Sequence, residues 1–270
     1  MTRVSHDPFD PQRLAQRLKG LALGHPLYYF ETMDSTNGFL RALPAEQFRT
    51  GALALADHQT KGHGRFDRRW CDAPGQSLLF SILFEAGEPP SRWSLVTLGA
   101  AVSVCRTLER HGIAEPRIRW PNDVLVGDRK VCGILTEKGP TPTTLVLGVG
   151  LNVHQRTEDF PPALRQSAGS LRLAAERPWN REDLLVAFLT DFQTVYRQWQ
   201  EGQDAAILGD CRQRMSTLGR PVYFHSHGRR VEGVVMDLDL DGSLVLREPT
   251  GIVSRWHSGE VEEIRWSFES

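Results

Sequence analysis

Four segments hold most of the residues that could do chemistry. The densest runs from Asp57 through Gln59-Thr60-Lys61-Gly62-His63-Gly64-Arg65-Phe66-Asp67-Arg68-Arg69 to Trp70. Gly62 and Gly64 allow backbone torsions that turn successive N–H groups toward an anion. Lys61, Arg65, Arg68 and Arg69 add fixed positive charge, and His63 adds partial charge near neutral pH. Such a loop suits a carboxylate or phosphate, although a solvated turn explains the same pattern. It is not a Walker loop, because Gly-x-x-x-x-Gly-Lys-Ser/Thr is absent. The second segment is Arg119-Trp120-Pro121-Asn122-Asp123, followed by the hairpin turn Gly127-Asp128 and the strand from Arg129-Lys130 through Cys132-Gly133 to Glu137. All but four of the 32 basic residues are arginine, so a lysine here is informative. Alternation places Lys130 and Cys132 on one face, and Gly133 lets a ligand or backbone approach. A lysine beside an apolar strand needs an anionic partner, unless it merely caps the hairpin. In the third segment, Gly148-Val149-Gly150-Leu151-Asn152-Val153, a polar amide interrupts an apolar strand and must either tie down a loop or read a ligand. The fourth, Asp34-Ser35-Thr36-Asn37, reads most simply as the N-cap of a following helix.

The elements that must carry these segments follow from periodicity. Strand-like runs fall at 27–31, 52–56, 77–84, 124–126, 131–137 and 145–153, each bounded by Gly, Pro or Asp. Helical patterns span 93–111, ending at Gly112, and 181–200, beginning after Asn180. In the latter, Leu184, Leu185, Phe188, Phe192, Val195, Tyr196 and Trp199 form a core-facing stripe. A short helix follows Asp10-Pro11, with Leu14 and Leu18 on one face. Strands interspersed with helices predict a layered α/β or α+β domain. After Met215 the texture changes to short strands at 221–225, 231–237, 243–246 and 253–256, separated by Gly228, Asp241-Gly242 and Thr250-Gly251. That pattern predicts a small SH3-like barrel.

With 270 residues, one large domain and a small one are expected. A formal net charge of −1 supplies no global field toward nucleic acid or acidic lipid. No apolar run reaches the roughly 18 residues of a membrane helix. Neither a secretion signal nor a Cys-x-x-Cys pair is present, so a reducing cytoplasm is expected. Only 26 residues precede the first strand, about half of what a winged helix-turn-helix needs, so no DNA-binding domain is expected.

Taken in order, Ser-Thr-Asn, Gln-Thr-x-Gly-x-Gly-Arg, Arg-Trp-Pro-Asn-Asp, Arg-Lys-x-x-Gly-Ile-Leu and Gly-x-Gly-x-Asn resemble the biotin protein ligases over residues 27–266. Leu218-Gly219-Arg220-Pro221-Val222 and His257-Ser258-Gly259-Glu260-Val261 resemble the family's C-terminal barrel. The resemblance implies an α+β fold: a mixed-sheet, class II synthetase-like catalytic domain with a small C-terminal SH3-like barrel. The expected divisions are 1–26 as an N-terminal helix or extension, 27–214 as the catalytic domain and 215–270 as the SH3-like domain. It implies that biotin and MgATP give biotinoyl-5′-AMP and pyrophosphate, and that a lysine of a carboxylase biotin carrier domain then takes the biotinoyl group. By the same resemblance, Lys130, Arg65 and Asp123 are catalytic, with Asp123 orienting or deprotonating the acceptor lysine. Ser35, Thr36, Asn37, Gln59, Gly62, His63, Gly64, Arg65, Lys130 and Gly133 bind biotin. Arg65, Arg68, Trp70, Asn122, Lys130 and Asn152 bind ATP, with Trp70 stacking on adenine. Mg²⁺ comes with ATP and needs no dedicated cage. The carrier domain of acetyl-CoA carboxylase is the expected partner, DNA and membrane are not, and a homodimer is compatible with the pattern. The chain departs from the family in the glycine loop, where His63 replaces the first arginine, Phe66 stands at a variable position and Asp67 replaces the last glycine. An active enzyme with a retuned loop is expected. The alternatives are an octanoate or lipoate ligase, a biotinoyl-AMP-sensing repressor, and a binding protein without turnover.

Overall fold

The computed structural model describes residues 8–87, 90–226, 229–257 and 262–263. The larger sheet holds β1 (Leu27–Met33), β2 (Ala52–Gln59), β3 (Ser77–Glu85), β4 (Arg117–Arg119), β5 (Asp123–Val126), β6 (Arg129–Lys138) and β7 (Thr144–Asn152). Their spatial order is β1-β2-β3-β7-β6-β5-β4. β1 runs parallel to β2 and the remaining neighbours are antiparallel, so the sheet is mixed. The helices are α1 (Pro11–Arg17), α2 (Thr36–Arg41), α3 (Trp93–Arg110), α4 (Leu171–Ala174), α5 (Arg181–Gln200) and α6 (Asp204–Arg214).

Strand alternation explains why both faces of the sheet centre are covered. On β2, Leu53 and Leu55 join the large core against α3 and α5, while Ala52 and Ala54 join a smaller one under α2 with Leu40, Leu83 and Val146. All seven stripe residues of α5 are buried. Phe188 meets Phe80 and Tyr196 meets Phe84, each at 5.0 Å between ring centroids. Helix α3 lies close beside α5 because Gly99 carries no side chain: a Cβ there would stand 2.4 Å from Val195 Cγ1. The start of α5 is pinned twice. Asn180 caps it, and the Arg181 guanidinium reaches Asp57 Oδ1 at 2.6 Å and the Ser77 carbonyl at 3.1 Å.

The second sheet is antiparallel, in the order β11-β10-β9-β8-β12, from β8 (Pro221–Ser226), β9 (Arg229–Leu238), β10 (Leu244–Arg247), β11 (Val253–Trp256) and β12 (Glu262–Glu263). It fits an SH3-like unit. Its Asp241-Gly242 turn plugs onto α3, where Ser94 hydrogen-bonds the Asp241 carbonyl and the buried Trp120 Nε1–H donates to the Gly242 carbonyl at 3.0 Å. Gly242 has φ +81°, which favours glycine.

Four of these elements escaped the sequence reading. β4, α4 and β12 are only three, four and two residues long. Helix α6 buries only Ile207, Leu208 and Cys211, and Gln203 at its start gives no side-chain cap, so neither stripe nor cap signal announces it. The expected turn at Gly228 and the motif residues 258–261 lie outside the described residues.

Candidate active site

The four segments meet in a single cavity of about 280 Å³, opening on the sheet face under α2 and the glycine loop. One end is polar. Ser35 caps α2, its Oγ accepting from the Gly38 N–H at 3.2 Å, so the N-cap reading holds for this residue. The next two side chains turn inward. Thr36 donates from both N–H and Oγ1 to Gln59 Oε1, at 2.7 and 3.1 Å. The buried Ser81 hydroxyl contacts Thr36 Oγ1 at 2.7 Å and Asn37 Oδ1 at 2.5 Å. Asn37 Nδ2 donates to Glu137 Oε2 at 2.8 Å and to the Leu135 carbonyl at 3.3 Å. Gly148 makes room: a Cβ there would stand 2.2 Å from Asn37 Oδ1. Ser81 and Glu137 were missed as site residues. The signal was available for Ser81, a polar residue interrupting an apolar strand, the logic applied to Asn152; Glu137 stands between Thr136 and Lys138 at a strand end and carries no such mark.

The other end is ionic. Lys130 is fixed through its backbone, its N–H donating to the Ser167 carbonyl and its carbonyl accepting from the Gly169 N–H, both at 2.8 Å. Its Nζ lies 2.6 Å from Asp123 Oδ1, and the same carboxylate takes Arg119 Nη2 at 2.8 Å. Asp123 therefore sits buried between two cations. The expected sharing of a face by Lys130 and Cys132 is corrected. β5 and β6 pair Leu125 with Lys130 but Val124 with Cys132, so Val131 is an extra residue that rotates the strand. Lys130 and Gly133 then face the cavity, while Cys132 is buried in the core. Burial pushes its thiol well above the usual range.

The glycine loop folds as a hairpin over the cavity. Trp70 N–H donates to the Gly62 carbonyl at 2.9 Å, His63 bridges Arg69, and Gly64 N–H donates to the Arg68 carbonyl at 2.7 Å. Asp72 anchors its far end, contacting His58 Nδ1 at 2.9 Å and the Gln59 N–H at 3.3 Å. The left-handed residue at its tip is Phe66, φ +56°, rather than Asp67, whose side chain lies outside those described. Lys61 is also corrected as a contributor of charge to the cradle. It is 76% exposed and points away to Asp34 at 2.8 Å. Hydrogen bonding between the two raises the lysine and lowers the carboxylate. Arg65, Arg68 and Arg69 do line the cavity. Arg65 Nη1 reaches Asn122 Oδ1 at 3.4 Å, while Asn122 Nδ2 donates to the Ile134 carbonyl at 2.8 Å, tying the loop to β6. The Trp70 indole straddles Gly133 and Gly150, whose added Cβ atoms would stand 2.9 and 2.8 Å from it, and its Nε1–H is buried without a partner. Asn152, buried in β7, donates to the Gly169 carbonyl at 2.9 Å and accepts from Gln155 at 3.3 Å, which ties down the loop that holds Lys130. Among the described residues no three His, Cys, Asp or Glu side chains converge on a metal-sized space. None of the described helices is long and apolar enough to cross a membrane.

A cavity with a neutral hydrogen-bonding end and a cationic end is suited to a polar ring carrying an anionic tail that must meet a second anion. Residues 29–152 match the biotin/lipoate A/B protein ligase family, and residues 217–262 match the biotin protein ligase C terminal domain. The chain is 30% identical over 246 residues to a biotin–[acetyl-CoA-carboxylase] ligase of Mycobacterium tuberculosis, covering 88% of this chain and 90% of that one. It is 29% identical over 248 residues to the bifunctional ligase/repressor BirA of Bacillus subtilis, covering 91% of this chain and 76% of the relative. Among solved structures, the biotin protein ligase of Aquifex aeolicus in complex with biotin and ATP superposes with a TM-score of 0.77. It has 27% identity and covers 90% of this chain and all of that one.

Proposed function

The chain belongs to the biotin/lipoate A/B protein ligase family, among its biotin protein ligases, and from that premise we propose that it activates biotin with ATP and passes it to a lysine of a carboxylase carrier domain. The observation that carries this reading is the pairing of two ends in one cavity: Thr36, Asn37 and Gln59 at one, braced from behind by the buried Ser81, and Lys130 with Arg65 at the other. A ureido ring presents a carbonyl acceptor and two N–H donors, which hydroxyls and amides complement. Ser35, Gly62, His63, Gly64 and Gly133 complete the biotin side. Arg68, Trp70, Asn122 and Asn152 join Arg65 and Lys130 on the ATP side, with the indole stacking on adenine.

In the first step a carboxylate oxygen of biotin bonds to the α-phosphorus as the bond to pyrophosphate breaks. Two anions must touch, and the Lys130 ammonium and the Arg65 guanidinium offset their repulsion. In the second step a neutral lysine amine attacks the acyl carbonyl, AMP leaves, and Asp123 takes the amine's proton. Asp123 already sits against Lys130 and Arg119, so the base stands beside the activating cation. Magnesium arrives on the triphosphate as part of the substrate, and no residue is assigned to it. The proposal keeps residues 1–26 as an extension, 27–214 as the catalytic unit, and 215–270 as the C-terminal unit. It places the protein in the cytoplasm, where its four free cysteines would stay reduced.

Incubating the protein with α-labelled ATP, biotin and a carboxylase carrier domain tests the reading. Labelled biotinoyl-AMP that is consumed as the carrier gains biotin is the expected result. Adenylate formed from octanoate but not biotin, or from neither, overturns it.

A further inference from the structure

Glu137 lies where the glycine loop meets the polar end of the cavity, and it touches both. Its carboxylate receives Arg41 Nη1 on Oε1 at 2.6 Å and Asn37 Nδ2 on Oε2 at 2.8 Å, and His63 Nε2 lies 3.3 Å from the same Oε2. An ionised carboxylate only accepts, so it holds the N–H₂ side of Asn37 toward itself and the Oδ1 side toward Ser81. On the opposite edge of the imidazole, His63 Nδ1 lies 3.5 Å from the Lys61 carbonyl, another obligatory acceptor. A neutral imidazole can donate to one of these two acceptors and an imidazolium to both. The charged groups around the ring are Glu137 from β6, Arg41 from α2 acting through Glu137, and Lys61 and Arg69 of its own loop. The Lys61 ammonium is turned outward to Asp34.

We infer that Glu137 is a positioning residue that latches the glycine loop, through His63, to the head-group end of the cavity. The inference rests on the biotin ligase reading and adds a determinant of vitamin affinity to it. Histidine or arginine at position 63 can donate to the carboxylate, whereas alanine cannot. Both partners are partly exposed, which keeps the effect modest.

The test is biotin binding by calorimetry, with ATP binding measured alongside, in the wild-type chain and in Glu137→Gln, His63→Ala, their combination, and His63→Arg. Glu137→Gln and His63→Ala should each weaken biotin binding about three- to tenfold, and the double variant by clearly less than the product of the two, because both break one link. His63→Arg, which keeps a donor toward the carboxylate, should regain most of what His63→Ala loses, and ATP affinity should move little in every variant. Thermal melting establishes that the variants fold, and the two His63 variants carry the test if Glu137→Gln does not fold. Biotin affinity unchanged in His63→Ala, or losses that multiply fully in a folded double variant, overturns the latch. A wild-type chain that binds no biotin overturns the ligase reading instead.

Discussion

Lys130→Ala separates what the ionic end of the cavity contributes to folding from what it contributes to chemistry. For folding, the variant loses the 2.6 Å pair with Asp123, but that carboxylate keeps Arg119 at 2.8 Å, and the Lys130 side chain is 31% exposed. A partly exposed pair of this kind is worth about 1 kcal/mol or less, and so about 2–4 °C in Tm for a chain of this size. For chemistry, two unit charges about 4 Å apart repel by about 4 kcal/mol at an effective dielectric near 20. An ammonium that touches both oxygens cancels most of this, and solvent access trims the figure toward about 3 kcal/mol. Adenylation should then slow by about 10²- to 10³-fold, the range typical of losing one preorganised charge-stabilising donor. Transfer from supplied biotinoyl-AMP, in which the two anions no longer have to meet, should fall at least about tenfold less. Pyrophosphate release under single-turnover conditions measures the first step, and carrier labelling from the synthetic intermediate measures the second. A folded variant that releases pyrophosphate within tenfold of the wild-type rate would refute the placement of Lys130 between the reacting oxygens.

Three further outcomes are expected. Arg65→Gly removes the strap to Asn122, so biotinoyl-AMP should escape and label bystander proteins in a mixture; labelling confined to the carrier domain would count against a retaining role. Gly242→Ala puts a Cβ on a φ of +81° and 2.9 Å from Leu98 Cδ1, which should cost about 1–3 kcal/mol in denaturant unfolding and weaken the Trp120 contact with the C-terminal sheet. Burial works to raise the Glu182 carboxyl, but Arg13, the Asp10 N–H and Arg17 together hold it below the usual glutamate range. A depressed value stabilises the fold above the ordinary pKa near 4.3 and loses that contribution as pH falls through the folded value. Glu182→Gln should therefore cost about 1–2 kcal/mol at pH 7 and progressively less as the pH is lowered through the acid range, read from unfolding midpoints across a pH series.

The sequence by itself determined what near neighbours encode. Alternation gave the strands around Leu53, Phe80 and Val149, the stripe from Leu184 to Trp199 gave α5 its buried face, and Asp10, Ser35 and Asn180 marked helix starts that their side chains do cap. The motifs also brought the right segments to one cavity, because each sits at the end of a strand or in the loop that follows it. Tertiary structure alone decided which face and which partner. One extra residue at Val131 turned Cys132 into the core and left Lys130 over the cavity, a rotation that period-two reading cannot see because it assumes unbroken register. Lys61 found Asp34 and turned outward, while Arg65 stayed within. Glu137 became part of the site by reaching Asn37, 100 residues away in the chain, and Ser81 by lying 44 residues from that same amide. Local patterns are fixed by the covalent geometry of a few residues, whereas contacts at such separations exist only once strand order and register bring them within hydrogen-bond distance.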